Sequence, residues 1–150
     1  MLKVFVDGDA CPVKDEVYSV TTRYGVPVAL VANSRMYVPP GCGVELVVVG
    51  GSPDAADDWI AANLQAGDVV VTADIPLAAR ALAGGALALG TDGRPFTEVS
   101  IGGALATREL KSQLREAGVV AGGPRALSQK DRSRFLSALD AMLQRAVRRS

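Results

Sequence analysis

Five short and almost uninterrupted apolar segments run along the chain, separated by stretches in which apolar residues recur every three or four positions. A continuous apolar run of about five to seven residues is typical of a strand that is buried on both faces. Strands that alternate with amphipathic helices predict an α/β fold with a parallel sheet. The five predicted strands lie at 2–6, 26–32, 44–50, 68–74 and 86–90.

The segments outside these strands carry the start and stop signals of helices. Pro12 suits the first turn of a helix, and Gly25 suits its end. Ser128 and Asp131 have the N-cap and N3 spacing of a capping box. We therefore expect helices after the first, third and fourth strands, and two more at 104–117 and 128–148.

Length and composition indicate a single globular domain. The 150 residues are 49% hydrophobic, which is enough for one sizeable core, and we expect one domain over 1–150. No apolar run reaches the about 18–20 residues of a membrane span, and the first residues lack the pattern of a secretory signal peptide. Two cysteines are too few for a disulfide framework. We therefore expect a cytoplasmic protein with no membrane partner.

The charges are balanced overall but unevenly distributed. Residues 1–100 hold twelve acidic and six basic side chains, whereas 101–150 hold four acidic and ten basic ones. Such asymmetry fits an acidic, metal-binding half beside a basic half that attracts phosphate groups. A solvated helical face accounts for the basic half equally well.

Oxygen-bearing side chains follow nearly every predicted strand. In an open parallel sheet, ligands bind at the carboxyl ends of the strands, where the strand order switches. The helix after the third strand adds three carboxylates that are spaced to share one face. Each Asp alone could instead serve a helix N-terminus. The whole set is Asp7, Asp9, Asn33, Ser34, Asp54, Asp57, Asp58, Thr72, Asp74 and Asp92.

So many carboxylates at one edge repel one another unless a cation lies between them. The chain has no histidine and no cysteine cluster, so the available ligands are hard oxygen atoms, which suit Mg²⁺ or Mn²⁺. Such an ion lowers the pKa of a bound water and neutralises a phosphoryl oxygen, as cleavage of a phosphodiester requires. Candidates to bind the phosphates are Lys14, Arg35, Arg80, Arg125, Lys130, Arg132 and the helix start at Ser128.

Five segments carry a resemblance to a known family. They are "VDGDACPVKDE", "VANS", "DAADDWI", "GDVVVTADIPLAARAL" and "GGPRALSQKDR". Through them, in this order over about 3–143, the chain resembles the YaiI/YqxD family of uncharacterised bacterial proteins. That family is placed by similarity among the PIN-like domains, whose active members are metal-dependent nucleases. The resemblance implies a three-layer α/β/α fold with acidic residues that hold Mg²⁺ or Mn²⁺ at one sheet edge.

Motif positions also imply which acids form such a site, and where this chain departs from the family. Gly8 replaces the usual Ala of the first motif, which removes no ligand. The segment "GTDGRPF" replaces the usual turn after the fifth strand, so Asp92 does not match as a fourth acid. The acids that do correspond are Asp7 with Asp9 adjacent, Asp57 or Asp58, and Asp74.

The combined hypothesis is a Mg²⁺- or Mn²⁺-dependent nuclease with a bound water as nucleophile, and RNA is favoured over DNA as its substrate. Asn33, Ser34 and Thr72 would position the substrate, and the basic residues named above would hold its phosphates. The catalytic metal ligands would be Asp7, Asp9, Asp58 and Asp74, with Asp54 and Asp57 as outer or alternative ligands.

Two other classes of protein fit the same residues. A nucleic-acid-binding or adaptor domain would keep the acids for structure, although three Phe, three Tyr and one Trp offer little surface for base stacking. A phosphatase of the haloacid dehalogenase type would use Asp7 as nucleophile and Asp9 as acid or base. Cys11 stands where such enzymes commonly have Thr or Val, which counts against that class. A homodimer through the basic helix at 128–148 is also open.

Overall fold

The computed structural model describes residues 2–52, 54–103 and 127–149. Its strands and helices alternate as the apolar pattern predicts, and a 3₁₀ turn at Gly8–Ala10 follows the first strand. Residues 98–103 are also helical, and the helix predicted at 104–117 lies outside the described residues. The strands are β1 (Val4–Asp7), β2 (Val28–Ala32), β3 (Val44–Val48), β4 (Val69–Val71) and β5 (Leu87–Leu89). The helices are α1 (Lys14–Tyr24), α2 (Ala55–Asn63), α3 (Ile75–Ala83) and α4 (Gln129–Arg149).

β1 lies at the centre of a sheet whose strands are all parallel, in the order β3-β2-β1-β4-β5. The chain adds two strands on one side of β1 and then crosses to the other side, so the strand order switches between β1 and β4. Val6 is paired with Leu30 of β2 and with Val71 of β4. Asp7 and Thr72 come next along β1 and β4, at the edge where such sheets bind ligands.

Helices cover both faces of the sheet, which confirms the predicted three-layer α/β arrangement. α1 and α4 pack over Val4 and Val6 on one face. α2 and α3 pack over Phe5 on the other face. Because side chains alternate along a strand, Asp7 lies on the same face as Phe5. The carboxylate that ends β1 therefore lies on the side of the sheet that carries the acidic helix α2.

The amino-terminal edge of the sheet has a carboxylate of its own. Asp68 precedes β4 and is almost fully buried. Its Oδ1 accepts a hydrogen bond from the backbone N–H of Lys3 at 3.0 Å, and its Oδ2 accepts one from that of Gln65 at 2.8 Å. These bonds tie the start of β1 to the turn before β4.

Within the described residues, no helix is both long enough and apolar enough to cross a membrane.

Candidate metal and phosphate site

Asp7 is the last residue of β1, and Asp74 comes shortly after the neighbouring strand β4. Both residues interact with Thr72. Asp74 is the N-cap of α3, and its Oδ1 accepts a hydrogen bond from the backbone N–H of Leu77 at 2.9 Å. The backbone N–H of Asp74 donates to Oγ1 of Thr72 at 2.9 Å. Thr72 is buried, and its side chain lowers the pKa of Asp7. Thr72 thus bonds with the backbone of Asp74 and interacts with the side chain of Asp7, rather than lying open to a substrate as the sequence hypothesis assumed.

Asp7 is in an environment that opposes its ionisation. Burial raises the pKa of its carboxyl group, and the negative charges of Asp74 and Asp9 raise that pKa further. The hydrogen bond with Thr72 and the nearby ammonium group of Lys14 offset part of this effect. An added cation at this edge would therefore stabilise the ionised form of Asp7.

Asp57 brings a third carboxylate to the same place from the first turn of α2. Burial raises its pKa to about 6, helped by the charges of Asp74, Asp7 and Asp54 in that order. Arg80 lowers the pKa in part. Asp7, Asp57 and Asp74 therefore form one electrostatic group, drawn from the ends of β1 and β4 and from α2.

Asp58 is paired with a cation instead. Its Oδ1 forms an ion pair with Nη1 of Arg80 at 2.9 Å, and the side chain is exposed. The sequence hypothesis made Asp58 a catalytic ligand and Asp57 an alternative one. In the structure, Asp57 is the residue that interacts with Asp7 and Asp74, because adjacent positions on a helix point about 100° apart. The acid of α2 that interacts with the candidate site is therefore Asp57 rather than Asp58.

Asp9 hydrogen-bonds with the backbone, and its charge also contributes to the raised pKa of Asp7. Both of its oxygens accept the N–H of Asn33, at 2.9 and 3.2 Å. The side-chain amide of Asn33 donates in turn to the carbonyl oxygen of Ser52 at 3.0 Å. These bonds hold together the turn after β1, the end of β2 and the loop that leads to α2. This geometry favours a structural role for Asn33 and Asp9 over the substrate-positioning and metal-binding roles that the sequence hypothesis gave them.

The acids fit a hydrated divalent cation better than a closed metal cage. Over residues 2–52, 54–103 and 127–149, no group of three or more His, Cys, Asp or Glu side chains stands together in a way that would hold a metal ion. Mg²⁺, however, commonly keeps several waters and is bound by one or two carboxylates. Asp7 and Asp74 supply two such carboxylates, and repulsion from Asp74 contributes to the raised pKa of Asp7. The donor set is thus suited to an ion held partly by water.

The predicted phosphate-binding residues divide into two groups. Lys14 and Arg80 act electrostatically on the acidic group, on Asp7 and Asp57 respectively. Lys14 also donates from Nζ to the carbonyl oxygen of Cys11 at 2.9 Å. Arg132 is occupied elsewhere, because its Nη1 donates to the carbonyl oxygen of Pro12 at 2.8 Å and joins α4 to the chain before α1.

The helix start at Ser128 is a confirmed capping box. The backbone N–H of Ser128 donates to Oδ2 of Asp131 at 3.0 Å, and the N–H of Asp131 donates to Oγ of Ser128 at 3.1 Å. These two N–H groups are therefore used within the protein and are not offered to a phosphate. Lys130, in the same turn, is exposed.

The remaining candidates lie at the border of the site or outside the described residues. Ser34, Arg35 and Asp54 are exposed. Asp92 forms an ion pair with Arg94 at 3.7 Å in the turn after β5. Arg125 lies outside the described residues, so its predicted role stays a prediction.

A groove that the sequence did not predict lies at the amino-terminal end of the sheet. The groove has a volume of about 610 Å³ and lies between β5 and α4. Leu87 and Phe96 line it on one side, and Met142 and Arg145 line it on the other. No sequence motif marks it, because its residues come from separate segments that only the fold brings together.

Comparison with curated proteins finds relatives that match along nearly the whole chain. A UPF0178 protein of Rhodopseudomonas palustris (strain ATCC BAA-98 / CGA009) is 54% identical over 149 residues, covering 99% of this chain and 94% of that one. A UPF0178 protein of Bradyrhizobium diazoefficiens is 53% identical over 147 residues, covering 98% of this chain and 88% of the relative. A UPF0178 protein of Paramagnetospirillum magneticum is 51% identical over 148 residues, covering 99% and 98%.

Comparison with solved structures finds a more distant likeness. The chain is similar to the crystal structure of Rae1 (YacP) from Bacillus subtilis (W164L mutant), with a TM-score of 0.43 and 17% identity. The match covers 97% of this chain and 99% of the other. At that TM-score the likeness carries no argument about fold or function, so the PIN-like placement stays an expectation drawn from the resemblance.

Comparison with protein families gives a match over almost the full length. The family described as "Uncharacterized BCR, YaiI/YqxD family" matches residues 5–145. The matched range contains β2 to β5, all of β1 except Val4, and all the acids of the candidate site. Together with the identity to the UPF0178 proteins, this shows that the chain belongs to the YaiI/YqxD family.

Proposed function

We propose that this protein is a divalent-metal-dependent nuclease that hydrolyses phosphodiester bonds, with RNA as its substrate. One observation carries the proposal. Asp7, Asp57 and Asp74 lie within electrostatic range of one another near the switch point between β1 and β4. Repulsion from Asp74 helps to raise the pKa of Asp7, and repulsion from Asp74 and Asp7 helps to raise that of Asp57. A protein does not gain stability from such repulsion, so the arrangement favours a site that becomes stable when a cation binds.

In this proposal the three acids have different tasks. Asp7 and Asp74 would hold Mg²⁺ or Mn²⁺, and the bond from the Asp74 backbone N–H to Oγ1 of Thr72 anchors the segment that carries Asp74. The ion would supply Lewis acidity and lower the pKa of a bound water. Asp57, whose pKa of about 6 leaves it ionised at neutral pH, would accept the proton of the attacking water at a carboxylate oxygen.

Cations of the protein would neutralise the phosphates on either side of the scissile bond. Lys14 lies on the side of Asp7, and Arg80 lies on the side of Asp57. The exposed side chains of Arg35 and Lys130 are further candidates for phosphates more distant along the strand. Aromatic residues are few, which favours binding through the backbone of the nucleic acid rather than through stacked bases.

A cleavage assay tests the proposal. Single-stranded RNA and single-stranded DNA of the same sequence would be incubated with the protein and Mg²⁺ or Mn²⁺, with a chelator in parallel samples. We expect cleavage of RNA that stops in chelator and in Asp7→Asn. Glu45→Gln is the matched control, because it removes an exposed carboxylate from the edge strand β3. Equal activity in Asp7→Asn and in the control would contradict the assignment.

A domain that binds RNA without cleaving it is the second candidate. It is favoured by the internal use of Asp9 and Asp58, which the sequence hypothesis had counted as ligands. The same assay separates the two candidates, since RNA that is retained but stays intact with Mg²⁺ and with Mn²⁺ identifies the binding domain.

A further inference from the structure

The ion pair between Arg80 and Asp58 lies beside the acidic group and is open to solvent. Nη1 of Arg80 and Oδ1 of Asp58 are 2.9 Å apart, and the two side chains are 47% and 64% exposed. An ion pair with this exposure contributes little to stability, because water competes for both partners. The pair is therefore easily replaced by another anion of suitable shape.

The guanidinium group has more donors than Asp58 uses. The hydrogen bond to Asp58 joins a single guanidinium nitrogen, Nη1, to a single carboxylate oxygen. A guanidinium presents five N–H donors in a planar fork that fits phosphate oxygens two at a time. A phosphate group can thus form more charge-assisted hydrogen bonds with Arg80 than the present contact with Asp58 provides.

Arg80 is also close enough to the acidic group to act on it. Its charge opposes the rise in the pKa of Asp57, so a phosphate held by Arg80 would lie within electrostatic range of the proposed cation site. α3, which carries Arg80, has Asp74 as its N-cap. One rigid helix therefore fixes the spacing between a proposed metal ligand and this arginine.

We propose that Asp58 is a competing anion that occupies Arg80 until a phosphate of a single-stranded nucleic acid displaces it. This inference rests on the proposed function, since it concerns the substrate of the same site. It assigns Asp58 a role opposite to that of a metal ligand. Loss of the Asp58 charge would strengthen substrate binding rather than abolish activity.

The experiment measures binding without metal, so that cleavage plays no part. A fluorescently labelled single-stranded oligonucleotide would be titrated with the protein in chelator at several salt concentrations, and anisotropy would report binding. We expect Asp58→Asn to bind about threefold more tightly than the unchanged protein. We expect Arg80→Gln to bind more weakly, with a salt dependence reduced by about one released counterion.

A double variant and a charge-matched control make the result decisive. In the Arg80→Gln background, Asp58→Asn should give no further gain in affinity, because Arg80 is then absent. Asp54→Asn removes an equal charge from the N-cap of α2 and should give a smaller gain than Asp58→Asn. Equal gains from Asp54→Asn and Asp58→Asn, a gain that persists without Arg80, or no binding by the unchanged protein would each overturn the proposal. Mn²⁺ binding is measured separately, so this result can fail while the cation site stands.

Discussion

Carboxylates at the two ends of the sheet have opposite surroundings. At the amino-terminal end, Asp68 is almost fully buried, and each of its oxygens accepts a backbone N–H. At the carboxyl-terminal end, Asp7 and Asp57 are less buried but face other carboxylates, and the pKa of each is raised. The comparison shows that burial alone does not mark a functional acid. Each oxygen of Asp68 has a backbone donor, whereas Asp7 and Asp57 lie within electrostatic range of other carboxylates.

The largest expected effect comes from Asp74→Asn. Asn is as good an N-cap as Asp, so the bond to the Leu77 N–H can persist while the charge disappears. We expect RNA cleavage to fall by about 100-fold or more, because even residues that only support metal ligands commonly cost 10- to 100-fold. The melting temperature should change by no more than a few degrees. A variant that cleaves normally would remove Asp74 from the site.

Asp68→Asn makes the matching change at the amino-terminal end of the sheet. An amide has one acceptor oxygen, so its NH₂ group would face the backbone N–H of Lys3 or Gln65. We expect the free energy of unfolding to fall by about 1.5–3 kcal/mol, as measured by urea denaturation. Mn²⁺ affinity should be unchanged. A stable variant with impaired metal binding would reverse the contrast between the two ends.

The raised pKa of Asp57 makes the free energy of unfolding depend on pH. Its pKa is about 6 in the folded protein and 3.8 for the unperturbed group, so the folded state holds the proton more tightly. Ionisation therefore costs no stability below about pH 4, and the cost grows as the pH rises to about 6. In metal-free protein, Asp57→Asn should raise the free energy of unfolding at pH 7 by about 1 kcal/mol, since solvent screens a partly exposed carboxyl.

Urea denaturation of both proteins in chelator, between pH 4 and pH 8, checks this expectation. The stability difference between Asp57→Asn and the unchanged protein should be absent at pH 4 and present at pH 7. Asp15→Asn, an exposed Asp in the first turn of α1, is the control for loss of one negative charge. A difference of the same size at both pH values would show that packing, and not ionisation, is responsible.

The smallest expected effect is that of Asp58→Asn, and it distinguishes Asp58 from its neighbour Asp57 on α2. Asp58→Asn should leave Mn²⁺ affinity within about twofold of the unchanged protein, because its carboxylate is paired with Arg80. Isothermal titration calorimetry with Mn²⁺ measures this directly. A large loss of affinity would restore Asp58 as a ligand and return the sequence hypothesis to its original form.

The sequence predicted the layers of the fold well because they depend on local patterns. Continuous apolar runs locate buried strands, and Pro12 and Gly25 are signals that act within a few residues. The ends of the strands also placed Asp7 and Asp74 at one edge. These features need only the periodicity of the chain and the general geometry of parallel sheets.

The details of the site depend on contacts that no local pattern contains. Asp57 and Asp58 are neighbours in sequence, and only the packing of α2 against the sheet decides which of them faces Asp7. Arg80, which pairs with Asp58, is 22 residues away. The bond of Asp9 to the Asn33 N–H likewise joins two residues that the sequence had treated as separate parts of a site.

The central claim is that a cation belongs at the edge formed by Asp7 and Asp74. Its most direct test is a calorimetric titration of Mn²⁺ into metal-free protein, beside the Asp7→Asn/Asp74→Asn double variant and the Glu45→Gln control. We predict binding by the unchanged protein and the control, and none by the double variant. Failure of Mn²⁺ to bind the unchanged protein, or equal binding by the double variant, would contradict the claim.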